Sequence, residues 1–218
     1  MSYDEDVSDG VGLRERKKER TRAAIADAAL ELFRERGFDA VTVAEVARAA
    51  DVSEGTVFNY FPTKEDLFYG RMESFETALL DAVRDRASGR SVLEAFSDFI
   101  LAGSSRLADP DRARVIADGA RIVGASRALQ GREREIVDQS IALLAALIAA
   151  ETGAREGAVE PLVAATALMG TQRAIVATVH ARVLAGERGA KLASAVRADG
   201  KRAFSLLERG LGDYAVKR

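Results

Sequence analysis

Apolar residues recur every three or four positions along most of the 218-residue chain, a pattern typical of amphipathic α-helices. The first clear stripe consists of Ile25, Ala28, Ala29, Leu32 and Phe33. Ala, Leu, Arg and Glu, which are strong helix formers, dominate the composition, and only three prolines occur in it. The pattern and the composition together predict an all-α fold.

Three helix N-caps follow that first stripe in quick succession. Thr42 begins a T-x-x-E capping box, and Ser53 and Thr63 are residues of the type that begins helices. These caps predict two short helices, over about 43–50 and 54–60, and a longer helix after Thr63. A helix followed by two short helices that a tight turn connects is the helix-turn-helix layout.

The rest of the chain predicts long helices with clear start signals, such as Asp109-Pro110 and Glu160-Pro161. Their predicted spans are about 64–86, 91–107, 110–123, 127–151, 160–185 and 189–210. We therefore expect a disordered acidic tail over residues 1–12, a helix-turn-helix domain over 13–63, and a C-terminal helical bundle over 64–218.

The composition argues against several kinds of site. The chain has no cysteine and one histidine, His180, so disulfides, thiolate zinc sites and multi-histidine metal sites are excluded, and we expect no metal or cofactor. The opening MSYDEDVSDG is acidic and polar, unlike a signal peptide, and no uncharged apolar run reaches the roughly 18 residues of a membrane span. These features predict a soluble cytoplasmic protein that does not bind membranes. The net charge of −2 gives no overall sign of nucleic-acid binding, so any such signal is local.

The segment TRAAIADAALELFRERGFDAVTVAEVARAADVSEGTVFNYFPTKEDLF resembles the DNA-binding domain of the TetR family of transcriptional regulators. The resemblance covers roughly residues 20–68 and rests on the apolar helix, Gly-Phe, T-V-A-E-V-A, V-S-x-G-T-V-F-x-Y-F and K-E-x-L in combination. It implies a ligand-responsive repressor that binds a palindromic DNA operator as a homodimer and is released by a small-molecule effector. In the family the last two long helices, here about 160–185 and 189–210, form the dimer interface.

The second short helix, Glu54–Tyr60, takes the place of the recognition helix. At about 100° per residue, one face carries Glu54, Gly55, Phe58 and Asn59, and the opposite face carries Val57 and Phe61. Glu54 can accept a hydrogen bond from cytosine N4, Phe58 can contact a thymine methyl, and Gly55 lets the backbone approach DNA closely.

The resemblance implies phosphate contacts from Thr42, Thr56, Asn59, Tyr60 and Lys64. Hydroxyls, amides, lysines and helix N-termini are suitable phosphate donors. Ser53, the N-cap of the recognition helix, completes the expected DNA-binding set. Two departures from the family pattern stand out: Phe58 lacks the hydroxyl of the tyrosine often found there, and Glu54 brings an acid close to phosphates.

Two further features of this domain call for an interpretation. Of the clustered aromatics, we expect Phe61 and Phe68 in the core and Phe58 and Tyr60 on the DNA side, with the link at 62–65 as a joint. The basic run RERKKERTR over residues 14–22 either lies along a DNA backbone, enters a minor groove, or is a solvated helix face.

The effector pocket is expected to be largely apolar, with a few polar groups. The candidate polar residues are Arg121, Gln139, Gln172 and His180, although a lone histidine is more often an ordinary core or surface residue. Residues 127–153 are loosely similar to regulators that sense acyl-CoA-like ligands, which suggests a small, largely apolar and acyl-CoA-like effector.

Two other functional classes have less support from the sequence. An all-α enzyme has no support, because the chain shows no nucleophilic cysteine, no glycine-rich phosphate loop and no metal-ligand spacing. A helical adaptor that has lost DNA binding is disfavoured by the intact Gly55, Thr56, Tyr60 and Lys64.

Overall fold

The computed structural model describes the backbone of residues 5–70, 72–212 and 214–217, and the side chains of this set apart from residues 5–15, 72 and 73. The chain divides into two compact units, residues 1–72 and 73–218. The predicted boundary at residues 63 and 64 lies nine residues earlier.

The first unit is built from four helices. They are α1 (Glu5–Arg36), α2 (Val43–Ala49), α3 (Glu54–Tyr60) and α4 (Lys64–Tyr69). The structure differs from the expectation of a disordered tail over residues 1–12, because residues 5–12 form the first turns of α1. No proline between residues 5 and 36 removes a backbone donor, so the helix continues without a break. Residues 1–4 lie outside the described part of the chain.

The predicted apolar stripe of α1 forms the core of the first unit. Ile25, Ala29 and Phe33 are fully buried. Ala28 and Leu32 are only partly buried. The other helices and their connections add Val41, Val46, Val57, Phe61 and Leu67, each at most 1% exposed. The helix-turn-helix layout predicted from the caps is therefore present, with α2 packed against α1 and α3 packed against α2.

The chain does not continue as one helix from residue 64 to 86, as the sequence predicts, but breaks at Gly70 between α4 and α5 (Met72–Arg84). A Cβ at Gly70 would lie 2.5 Å from Phe61 Cε1 and 2.9 Å from the Asp66 carbonyl oxygen. Only glycine fits there without displacing a buried ring. The break comes after the link at 62–65 where we expected a joint.

The second unit contains α5, α6 (Val92–Gly103), α7 (Pro110–Ala125), α8 (Arg127–Thr152), α9 (Glu160–Leu184), α10 (Gly189–Ser205) and α11 (Glu208–Leu211), with a short 3₁₀ helix (Ser104–Ala108) before α7. The start signals Asp109-Pro110 and Glu160-Pro161 both lie at helix starts, as predicted. The helix predicted over about 91–107 ends at Gly103. There the hydroxyls of Ser104 and Ser105 bond to the carbonyls of Leu101 and Ala102, which competes with helical pairing.

The core of the second unit runs through the centre of these helices. Its fully buried members include Phe96, Leu144, Ile148, Leu168, Val183 and Leu192. One charged side chain is also buried: that of Arg86 is 1% exposed and donates to Glu151 Oε2 at 2.6 Å, to Val83 O at 2.6 Å, to Ala215 O at 2.9 Å and to Arg90 O at 3.1 Å. Every nitrogen of this guanidinium therefore has an acceptor.

α9 combines a buried face with an exposed apolar one. Among the described residues it is the one helix long and apolar enough to cross a membrane, and only 28% of its most apolar window is buried. A helix of a soluble bundle has the same length and composition, and α9 packs against α7, α8 and α10. The unburied apolar residues of α9 therefore form an exposed apolar face.

Candidate nucleic-acid interface

The recognition-helix candidate α3 presents the face that the sequence predicts. Glu54, Gly55 and Asn59 are exposed, and Phe58 is 48% exposed. On the opposite face, Val57 and the C-cap residue Phe61 are each 1% exposed. Because Val57 and Phe61 are buried, the opposite face of α3 is turned outwards. The exposed face thus offers an acid, a bare backbone position, an aromatic ring and an amide.

The start of α3 is held by its own hydroxyl groups. Ser53 Oγ accepts from the Thr56 backbone N–H at 3.1 Å and pairs with Thr56 Oγ1 at 2.8 Å. A Cβ added at Gly55 would meet nothing closer than Ser53 Oγ at 3.8 Å. The protein itself therefore leaves room for a side chain at Gly55, and a need for glycine would come from a close approach by another molecule.

The start of α2 is a complete capping box, and Arg36 also bonds to its glutamate. Glu45 Oε2 accepts from the Thr42 N–H at 2.8 Å and from the Thr42 hydroxyl at 2.9 Å, and Arg36 donates to Glu45 Oε1 at 2.8 Å. The backbone hydrogen bond from Thr42, followed by the bonds from Arg36 and the Thr42 hydroxyl, lowers the pKa of Glu45 to about 2. Sequence reasoning missed Arg36, because it lies nine residues from Glu45 and no periodic signal links them.

Two cations of this unit rest on aromatic rings. Lys64 Nζ lies 4.3 Å from the centroid of Phe38, and the Arg22 guanidinium lies 5.2 Å from the centroid of Phe61. Arg22 also donates to the Gly70 carbonyl at 3.1 Å. These contacts place Lys64 at the start of α4 and tie α1 to the C-terminal end of α3. Spacing along the chain does not predict either ring contact.

The clustered aromatics divide between surface and core. Phe61 is buried and Phe58 is largely exposed, as predicted, while Tyr60 is half-buried. Phe68, expected in the core, is only partly buried. Its neighbour Tyr69 is 7% exposed, and the two rings lie edge-on with their centroids 5.0 Å apart.

The four candidate effector residues do not form one group. Arg121 is exposed and pairs with Asp118 on its own helix at 2.6 Å, and Gln139 is exposed on α8. Gln172 and His180 both lie on α9, and the side-chain oxygen of Gln172 is buried without a hydrogen-bond partner in the described residues. Burial lowers the pKa of His180, and the nearby Glu133 carboxylate raises it in part.

The sequence does not predict two polar features of the second unit. Ser140 on α8, which is 6% exposed, donates to Glu76 on α5 at 2.5 Å. A cavity of about 880 Å³ lies between the end of α8 and the C-terminal residues, and its lining includes Arg86, Glu151, Thr152, Tyr214 and Lys217. None of the four candidate effector residues lines this cavity.

A short capped helix with one face buried and one face of base-reading groups exposed defines a helix-turn-helix DNA-binding protein. Comparison with known proteins agrees. Residues 25–69 match the family model described as "Bacterial regulatory proteins, tetR family". The transcriptional regulator TcmR of Streptomyces glaucescens is 36% identical over 100 residues, which are 46% of this chain and 44% of TcmR, so the chain spans less than half the length of this curated relative.

Solved structures extend the likeness in fold to most of the chain. A TetR transcriptional regulator from Rhodococcus sp. RHA1 superposes with a TM-score of 0.55 at 20% identity, covering 88% of this chain and 98% of that one. FadR from Bacillus subtilis, in complex with stearoyl-CoA, gives 0.51 at 24% identity, covering 85% and 96%. Residues 25–69 are thus similar to the tetR family of bacterial regulatory proteins, and most of the chain shares its fold with solved TetR regulators.

Proposed function

We propose that this protein is a cytoplasmic repressor that binds a palindromic DNA operator as a homodimer and leaves it when a small, largely apolar effector binds. The observation that carries the proposal is the exposed face of α3, with Glu54, Gly55 and Phe58 turned outwards above the buried Val57 and Phe61. A face of this kind suits the major groove, where carboxylates, amides and apolar groups read base edges.

The expected roles of the DNA-binding residues follow their positions. Glu54 and Phe58 would contact bases, with Gly55 at the closest approach of the backbone. Phosphate contacts would come from Thr42, Ser53, Thr56, Asn59, Tyr60 and Lys64, which lie on α3 or at the starts of α2 and α4. Glu54 has no ion-pair partner in the described residues, so its carboxylate is available to accept from a base.

A helix of seven residues reads only a few base pairs, so a second copy supplies the rest of the operator. The exposed face of α9 supports a homodimer through α9 and α10. Large apolar residues stand at its ends, with Leu162, Val163 and Leu184 exposed by 50%, 55% and 47%. Between them the exposed positions are mostly small: Thr166, Gly170, Ala174, Ala177 and Ala181. Small residues at helical spacing allow two helices to approach closely.

The effector is proposed to bind inside the second unit. The unpartnered oxygen of Gln172 is an acceptor in an apolar bundle, and a ligand with one donor and a long apolar part would satisfy it. The stearoyl-CoA bound to the FadR structure supports an acyl-CoA-like class. Arg121 and Gln139 would need to turn inwards to take part, whereas His180 is already half-buried.

The DNA-binding part of the proposal is tested with a duplex from the region upstream of this protein's own gene. Fluorescence anisotropy should show saturable binding that falls by roughly 10³-fold or more between about 50 and 200 mM salt. A scrambled duplex of equal length is the control. An affinity that does not change with salt would contradict the proposal.

The dimer is tested by light scattering at micromolar concentration, where the mass should be twice the chain mass of 23.3 kDa. Placing aspartates at Leu162 and Val163 should give monomers. Val115→Asp is the matched control, because Val115 is 63% exposed but lies on α7. A wild-type monomer at this concentration would rule out the dimer.

A further inference from the structure

We propose that the N-terminal extension of α1, residues 16–21, is a basic arm that binds the phosphate backbone of the DNA flanking the half-site read by α3. This inference rests on the proposed function and adds a second binding surface to it. It selects the DNA backbone as the partner of the basic run, from the three alternatives that the sequence left open.

The charge of the helix-turn-helix itself requires such a surface. Between residues 21 and 70 the chain has five basic residues against nine acidic ones. A surface with this balance repels a polyanion on average, whereas DNA affinity comes chiefly from cations that neutralise phosphates and release counterions. The positive charge needed for binding is therefore supplied by residues outside this segment.

Most cations within residues 21–70 are already engaged. Arg34 pairs with Glu31 at 2.5 Å and Arg36 pairs with Glu45 at 2.8 Å. Arg22 and Lys64 rest on aromatic rings, and Arg22 also bonds to a backbone carbonyl. Arg48 is the remaining cation of this segment. Since Lys64 can donate to a phosphate while it rests on the Phe38 ring, as proposed above, residues 21–70 offer DNA chiefly Arg48 and Lys64.

The extension has the opposite character. Arg16, Lys17, Lys18 and Arg20 are all exposed, and within the described residues no ion pair or hydrogen bond engages their side chains. Because successive residues turn by about 100°, Arg16, Lys17 and Arg20 fall within an arc of about 100° on one side of the helix. Glu19 falls outside that arc. This side of the extension is a free basic strip.

The strip begins beside the recognition helix. Arg22 contacts the ring of Phe61, which is the C-cap residue of α3, so α1 passes the C-terminal end of that helix. Arg16 lies six residues before Arg22, about 9 Å along the axis at 1.5 Å per residue. With α3 in a major groove about 12 Å wide, cations at this distance from its end reach the phosphates that border the groove.

The test uses the full chain and an operator duplex obtained by binding-site selection with the wild-type protein. The arm variant carries Arg16→Gln, Lys17→Gln, Lys18→Gln and Arg20→Gln, because glutamine keeps the helix propensity and removes the charge. The matched control carries Arg106→Gln, Arg112→Gln, Arg127→Gln and Arg155→Gln, four exposed residues of the second unit, and changes the net charge equally. Each protein is titrated against salt by fluorescence anisotropy.

The arm variant should lose at least on the order of 100-fold in affinity at about 0.1 M salt, equally for all sequences. Its log–log salt slope should flatten by roughly three for each arm, and so by about six for a dimer, at about 0.9 for each phosphate that the variant no longer neutralises. Trimming the duplex by about one helical turn, ~10 base pairs, on each side should produce the same loss in the wild type and no further loss in the variant. The control should match the wild type, and all melting temperatures should agree.

Two results would overturn the inference: an arm variant with the wild-type slope, or a control that loses as much affinity as the arm variant. Binding of the wild type to long duplexes, measured first, separates these results from a failure of the proposed function. A wild type that binds no duplex would remove the repressor proposal, and the arm with it.

Discussion

In the first unit, each short helix begins at a side chain that caps a partner three residues away: Thr42 with Glu45, Ser53 with Thr56, and Thr63 with Asp66. In the second unit, the one buried charge among the described residues, Arg86, bonds to Glu151 and Ala215, which lie 65 and 129 positions further along the chain. Both units are bundles of helices. They differ in the sequence separation of the residues that determine their geometry.

The difference extends to function. The proposed DNA-reading face is a single seven-residue helix, so its members are neighbours in sequence. The proposed effector site depends on groups from separate helices, such as Arg121 on α7, Gln139 on α8 and Gln172 on α9. A site made from one helix can be predicted from periodicity, whereas a site made from several depends on how those helices pack. Substitutions in the two units should therefore differ in whether they affect stability, DNA binding or neither.

Arg86→Met should have the largest effect on stability, because the second unit depends on this long-range interaction. It leaves Glu151 and three carbonyls without their donor and should lower the free energy of unfolding by roughly 2–4 kcal/mol. Urea unfolding followed by circular dichroism measures this. The control is Arg84→Met, an exposed partner of Asp81, which should cost less than about 1 kcal/mol. Equal losses for the two variants would contradict the comparison.

Gly70→Ala should be the most damaging small change in the first unit. The new methyl would lie 2.5 Å from the buried Phe61 ring and 2.9 Å from the Asp66 carbonyl. The cost should be about 1–3 kcal/mol of overpacking, partly offset by the higher helix propensity of alanine. Amide hydrogen exchange in α3 and α4 would report it. Unchanged exchange rates would show that the ring has room to move.

Gly55→Ala is the same substitution at an open position and should separate folding from binding. The nearest atom would be 3.8 Å from the new methyl, so stability should stay the same or rise by up to about 1 kcal/mol. Affinity for operator DNA should fall at least about 10-fold if the backbone approaches the bases as proposed. Anisotropy together with thermal unfolding gives both readouts. Retained affinity would remove Gly55 from the interface.

Glu54→Ala should change the choice of bases rather than affinity for all sites. A carboxylate that accepts from cytosine N4 contributes about 1–3 kcal/mol of discrimination at one position. Removing an acid also reduces repulsion from phosphates, so affinity for unrelated sites should rise slightly. Binding-site selection with the variant is the measurement. An unchanged consensus would show that Glu54 does not contact a base.

The smallest expected effect concerns pH and the cap of α2. Hydrogen bonds from Thr42 and Arg36 lower the pKa of Glu45 from the ordinary 4.5 to about 2. Because the folded-state pKa is the lower one, the stabilisation is complete above about 4.5 and is lost as the pH falls towards 2. Exchange of the Thr42 amide, followed by NMR between these values, measures it. Glu45→Gln should abolish this pH dependence, and an identical profile in that variant would assign the change to another group.

Much of the first unit could be predicted because its signals are local. Helix starts come from caps, and the two faces of α3 come from the 100° turn between residues, so the exposure of Phe58 and the burial of Phe61 follow from the sequence. The break at Gly70 could not be predicted this way, since it depends on the ring of Phe61 nine residues earlier. The same holds for Arg36, whose partner Glu45 belongs to the next helix.

The effector candidates illustrate the limit in the second unit. Arg121 and Gln139 lie on predicted helices, yet both face away from the core. Helical periodicity gives the relative angle of two residues on one helix but not the direction in which that helix packs. For the predicted tail over residues 1–12, the structure differs at residues 5–12, because charge content alone does not decide whether a segment continues the adjacent helix.

The sequence by itself determined the all-α fold, the positions of the caps, the candidate recognition helix and the resemblance to the TetR family, because each of these depends on residues within a turn or two of one another. Only the tertiary structure decided that Arg86 is buried, that Gly70 interrupts a helix, and that most cations of the helix-turn-helix are already engaged. These facts depend on atoms that are distant in sequence and close in space. They point to the extension of α1 as the source of free positive charge.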